Sequence, residues 1–105
     1  AKKAMRAPTI IIVIASLKQH PVVPEIEQII SAGAAAQNML NAAYALGLGA
    51  VWRTGEVAYD MNFSAGLGLT VSEKIVGFLY LGTMPVAREA SASKIKTNDY
   101  FQNWP

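Results

Sequence analysis

From Thr9 to Ala15 the chain reads Thr-Ile-Ile-Ile-Val-Ile-Ala, apolar and β-branched at nearly every position, with no polar alternation. Such a run predicts a strand covered on both faces, and therefore helices on both sides of its sheet. Lys18 to Val23 is a polar turn, after which Pro24 stands at a first helical position with Glu25 and Glu27 in the first turn. Proline lacks the N–H that a helix start leaves unused, and the two carboxylates complement the helix dipole. Apolar residues then recur at Ile26, Ile29, Ile30, Gly33, Ala36, Leu40, Ala43, Tyr44 and Leu48. This period predicts a helix to about Leu48. Alanine fills much of its opposite face, so the helix is expected to be buried nearly all round. At ~1.5 Å per residue it would be about 37 Å long. Gly33, Ala34, Ala35 and Ala36 allow close backbone packing, and a helix-to-helix dimer contact is the natural use.

Gly47 and Gly49 punctuate the helix end, and the run Gly-Ala-Val-Trp-Arg-Thr-Gly, Gly49 to Gly55, predicts a buried strand. Lys74 to Thr83, Lys-Ile-Val-Gly-Phe-Leu-Tyr-Leu-Gly-Thr, predicts a second apolar strand beside it in a sheet. Between them Glu56 to Gly68 is irregular, with a turn at Tyr59-Asp60-Met61-Asn62 and one or two helical turns over Phe63 to Leu67. The chain changes character after Thr83. Residues 1–85 are expected to form the core of a single domain and residues 86–105 an extended tail. The tail is polar but ends on Tyr100, Phe101 and Trp104. Aromatics on a tail without its own core are expected to dock on a partner's surface.

Composition adds a partner to this picture. Charged residues are 15% of the 105 and hydrophobic residues 52%, with a mean hydropathy of +0.27. Ordinary soluble chains carry roughly 25% charge. So little charge covers a monomer poorly, and a large apolar area is expected to be buried against a second subunit or another part of the same protein. Nine basic and seven acidic residues give +2 without a basic patch, which does not imply nucleic acid. With no cysteine and a single histidine, thiolate chemistry and a Cys- or His-cluster metal site are excluded, and cytoplasm fits. The basic start with the apolar Ile10 to Ala15 is not expected to be a secretory signal, since that stretch is short, Pro8 interrupts the approach and Lys18 to Pro21 offers no small-x-small site. Ile29 to Trp52 has membrane length, but Ser31, Gln37, Asn38 and Asn41 break it, so it reads as a buried helix and no membrane span is expected.

Gly47-Leu48-Gly49 and Gly66-Leu67-Gly68 suggest a dinucleotide phosphate loop, but that fingerprint needs a strand before the glycines and a helix after them. Here Gly47 closes a helix, and a helix cap is the reading. His20 lies in a turn between prolines with no relay partner, and Glu25, Glu27 and Glu56 have ordinary explanations, so no catalytic acid or base is assigned. Trp52, Arg53, Thr54 and Gly55 remain. One reading has Trp52 filling core space and Arg53 pairing with a carboxylate. The other has a large planar anionic ligand, with Gly55 letting the backbone approach, Thr54 and Gly55 offering N–H donors and Arg53 a fixed fork.

The runs Arg6 to Ala15, Ser31 to Ala43, Leu46 to Gly55 and Lys74 to Thr83, in this order and spacing, resemble the FMN-dependent nitroreductases, especially their compact bacterial NAD(P)H type. The resemblance covers about Ala4 to Pro85. It implies an α+β fold whose mixed sheet is flanked by helices, and an obligate homodimer built on a long central helix, with FMN at the dimer interface. It implies an oxidoreductase in which NAD(P)H reduces the flavin and a nitroaromatic, quinone or similar small-molecule acceptor reoxidises it. By position, Trp52, Arg53, Thr54 and Gly55 match the FMN-contacting run, with main-chain donors near the flavin. Ala42, Ala43 and Gly47 fall in a segment associated with the nicotinamide nucleotide. The family's amino-terminal Arg-Arg-Ser run for the FMN phosphate and its Asn-x-Gln-Pro-Trp type loop do not occur here. The chain therefore looks like the carboxy-terminal half of the fold, with the amino-terminal half as a required partner. The alternative is a non-enzymatic truncated domain that keeps the dimerisation helix and has lost flavin binding.

Overall fold

A computed structural model describes residues 6–85 and 93–105. The elements are β1 (Thr9–Ser16), α1 (Glu25–Ala45), β2 (Leu48–Arg53), a 3-10 turn (Glu56–Tyr59), α2 (Met61–Gly66), β3 (Glu73–Thr83) and a second 3-10 turn (Thr97–Tyr100). The three strands form one sheet in the order β1-β3-β2. Both pairings are antiparallel, with Ile11 opposite Leu79 on one side and Trp52 opposite Leu79 on the other. The apolar run from Lys74 to Thr83 thus lies beside the Gly49 to Gly55 run, as its sequence predicts. A parallel member, which a mixed sheet requires, would come from outside the described residues.

α1 packs on one face of the sheet. Val13, Ala36 and Leu79 form the buried centre there, with Ile11, Leu40, Trp52 and Val76 around them. On the other face Ala58, Ile75 and Phe78 are buried among Ile10, Ile12, Leu69 and Tyr80. Phe63 of α2 meets Phe78 edge to face, ring centroids 6.0 Å apart. The cover that β1 was expected to have on both faces is therefore the long α1 on one side and, on the other, the short α2 with the 3-10 turn Glu56–Tyr59.

Two further expectations are corrected. α1 is not buried all round: Ala36 and Ala43 are its buried residues, while Ile26, Ile30 and Tyr44 are 60%, 63% and 78% exposed. Nor is β2 a buried strand, because it forms a sheet edge and Val51 is exposed. Periodicity reports which face is apolar, not which surface covers it.

The ends of α1 are set locally. Pro24 is its N-cap, not its first helical residue, and its carbonyl accepts from the N–H groups of Glu27 and Gln28 at 3.1 and 3.3 Å. The Gln28 amide ties the preceding turn to the helix, donating to the carbonyls of Lys18 (2.9 Å) and Val23 (3.1 Å) and accepting from the Lys18 N–H (3.0 Å). The helix stops at Ala45, short of the expected Leu48, since Gly47 takes φ +77°, which ends the helical path at little cost only for glycine. α2 begins at Asp60, whose Oδ1 accepts from the N–H groups of Asn62 (2.8 Å) and Phe63 (3.2 Å). The described part of the tail, residues 93–105, is exposed throughout. Residues 86–92 of the expected tail lie outside the described residues.

Candidate functional site

The site begins where β2 leaves the sheet. Successive side chains of a strand point to opposite faces. Trp52 turns toward α1 and packs on the Val13-Ala36-Leu79 cluster, whereas Arg53 stands opposite Phe78, on the other face, and is exposed. The indole is half-buried and lies against Gly77 of β3 and Gly33 of α1. Trp52 therefore fills core space with its side chain, and only its main chain is available at the edge.

Thr54 and Gly55 follow as an exposed ledge between β2 and the 3-10 turn. Gly55 has φ +95° and ψ −177°, a conformation that favours glycine strongly, and nothing lies within 4 Å of where its Cβ would be. The Gly55 carbonyl is already committed, accepting from the Ala58 N–H at 3.1 Å. Among the described residues no strand lies beside the outer edge of β2. A planar group can approach this ledge without meeting a side chain at Gly55, with the Arg53 guanidinium close by in sequence as the cationic fork. Arg53 also borders an open depression of about 380 Å³ along the β2–β3 pair, with Arg6, Pro8, Val51 and Tyr80 on its rim. Arg6, which precedes β1, and Tyr80, within β3, carry no local signal in the sequence that marks them as neighbours of Arg53.

The nicotinamide segment is dispersed by the structure. Ala43 is 5% exposed and faces the interior, so its methyl is closed to a ligand. Ala42 is exposed one residue earlier, and Gly47 lies beyond the end of α1. His20 is a turn residue: its Nδ1 accepts from the N–H groups of Val22 (3.1 Å) and Val23 (3.0 Å). Both G-x-G runs sit at helix ends, with Gly68 N–H donating to the Ala65 carbonyl at 2.9 Å, so neither forms a strand-to-helix phosphate loop. No helix among the described residues is long and apolar enough to cross a membrane.

The model of the nitroreductase family matches residues 1–83. The Escherichia coli (strain K12) protein YdjA, named as an NAD(P)H nitroreductase, is 45% identical over 78 residues, which are 74% of this chain and 43% of that protein. A nitroreductase-like protein of Bacillus cereus superposes with a TM-score of 0.76 at 28% identity, over 90% of this chain and 50% of its own. A nitroreductase of Desulfovibrio desulfuricans, solved in complex with FMN, gives a TM-score of 0.70 at 30% identity, over 91% of this chain and 54% of its own. The chain thus spans about half the length of the proteins it matches.

Proposed function

The chain belongs to the nitroreductase family, and from that premise we propose that it forms one wall of an FMN site in an NAD(P)H-dependent flavin oxidoreductase. When bound, FMN supplies the transfer of electrons from NAD(P)H to a nitroaromatic, quinone or similar small-molecule acceptor. This chain's residues bind and orient. The observation that carries the reading is the exposed ledge at Thr54 and Gly55, where Gly55 at φ +95° leaves open space in place of a Cβ, directly after an exposed Arg53 on a strand edge that is unpaired among the described residues. Main-chain N–H groups of Arg53, Thr54 and Gly55 would meet the flavin's polar edge, while the Arg53 guanidinium would stabilise negative charge there. Trp52 holds the strand from behind. Ala42 and Gly47 would shape the approach of the nicotinamide nucleotide, and Ala43 would support them from the interior. The phosphate clamp would come from the amino-terminal half of the fold, and a second copy would complete a homodimer through α1.

The test is made on the assembly that holds both halves of the fold. It should purify yellow and, with a quinone present, oxidise NADH or NADPH. Absence of flavin absorbance after FMN is added, together with no NAD(P)H oxidation, would overturn this reading in favour of a truncated dimerisation domain.

A further inference from the structure

Among the glycines, Gly77 is the one at which an added Cβ would approach a neighbour most closely. A Cβ built on it would overlap Nε1 of the Trp52 indole and lie 2.6 Å from its Cδ1 and 3.0 Å from its Cε2. The origin is a bulge in β3. Val13 pairs with Gly77 but the next residue, Ile14, pairs with Ile75, which leaves Val76 as an extra residue. Val76 packs in the cluster under α1, whereas Ile75 and Phe78 belong to the cluster on the opposite face. Two successive residues of β3, Val76 and Gly77, therefore face α1. Only one of them can carry a side chain, because the indole occupies the second place.

The ring is bounded on its other side by α1, where a Cβ on Gly33 would lie 3.7 Å from Trp52 Cη2, an ordinary contact. Trp52 is the penultimate residue of β2, and Arg53, opposite Phe78, is the last one paired. The depth at which the indole seats therefore sets how β2 ends and where Arg53, Thr54 and Gly55 depart from the sheet. Resting on the flavin reading above, we infer that Gly77 is a positioning residue for the FMN edge. Its missing side chain admits the Trp52 ring over β3, and the seated ring holds the Arg53–Gly55 main chain at the height from which it reaches the flavin.

The inference is tested in the assembly of both halves by titrating FMN into wild type, Gly77→Ala and the double variant Gly77→Ala/Trp52→Phe. Thermal denaturation of the flavin-free proteins runs alongside. Displacing a packed ring for a methyl group should raise the FMN Kd of Gly77→Ala by roughly tenfold or more. A phenyl ring at the indole's angles would still meet that methyl, but without the outer ring it can tilt toward Gly33 and clear it, and the Kd should return to within about fivefold of wild type. A purely structural glycine would lower the melting temperature and leave the Kd alone. A folded Gly77→Ala protein with wild-type Kd overturns the inference, as does a raised Kd that Trp52→Phe does not recover. If Gly77→Ala fails to fold, the double variant carries the test, and its failure to fold or to bind FMN is equally negative. Wild-type protein that takes up no FMN would overturn the flavin reading itself, and the positioning role with it.

Discussion

At the end of β2, Trp52 and Arg53 point to opposite faces of the sheet, and that division decides what each can do. Trp52 is held against Val13, Ala36 and Leu79 and acts through packing, while Arg53 is exposed beside the glycine ledge. An exposed guanidinium adds little to folding, since surface ion pairs contribute about 0–1 kcal/mol. Arg53→Ala in the full assembly should therefore weaken FMN retention by roughly tenfold, the scale of one charge-assisted hydrogen bond. Its flavin-free melting temperature should change little. Comparable losses in both measurements would assign Arg53 to the fold instead. The Trp-Arg-Thr-Gly run was legible as a strand end from its residue types. That the tryptophan side chain belongs to the core was one of two readings left open, because two consecutive residues give no sign of which face the helix covers.

The elements were read well where local rules govern them and less well where neighbours do. The start of α1 and the adjacency of β2 and β3 follow from prolines and apolar runs visible in the chain, whereas the turn expected at Tyr59 to Asn62 is the end of a 3-10 turn followed at Met61 by α2, with Asp60 as its N-cap. Asp60 illustrates a local device with a measurable effect: its carboxylate accepts from two N–H groups that α2 would otherwise leave unsatisfied. Asp60→Ala should cost about 1 kcal/mol of stability, read by thermal or urea denaturation. The cost should include loosening of the Phe63–Phe78 contact that α2 supports. The bulge at Val76 was signalled only by a glycine inside an apolar strand. Such a glycine marks close approach or a bulge without saying what approaches.

For the whole molecule the accessible surface is 9045 Å², against about 5,700 Å² expected for a compact monomer of 11.2 kDa. The excess includes Ile26, Ile30 and Tyr44, which fall within about 40° of one another around α1 at ~100° per residue. It also includes Tyr100, Phe101 and Trp104 on the described part of the tail. If α1 mediates a homodimer, Ile30→Glu should move the assembly from two copies to one in sedimentation or light scattering while its helical circular dichroism is kept. A dimer that survives Ile30→Glu would place the subunit contact elsewhere. Low charge and high apolar content had already led to the expectation of cover from a second subunit or another part of the same protein, because uncovered apolar surface is unfavourable whatever the fold. By itself the sequence also determined the strand and helix positions and the family, through side-chain periodicity, proline and glycine punctuation and four ordered motifs. Only the tertiary structure decided that β3 lies between β1 and β2, that β2 is the sheet edge among the described residues, and that Ala43 is buried. It alone decided that Trp52 rests on Gly77. Each of these depends on which distant segment packs across a face, and a contact between residues 25 positions apart leaves no trace in the local pattern of either.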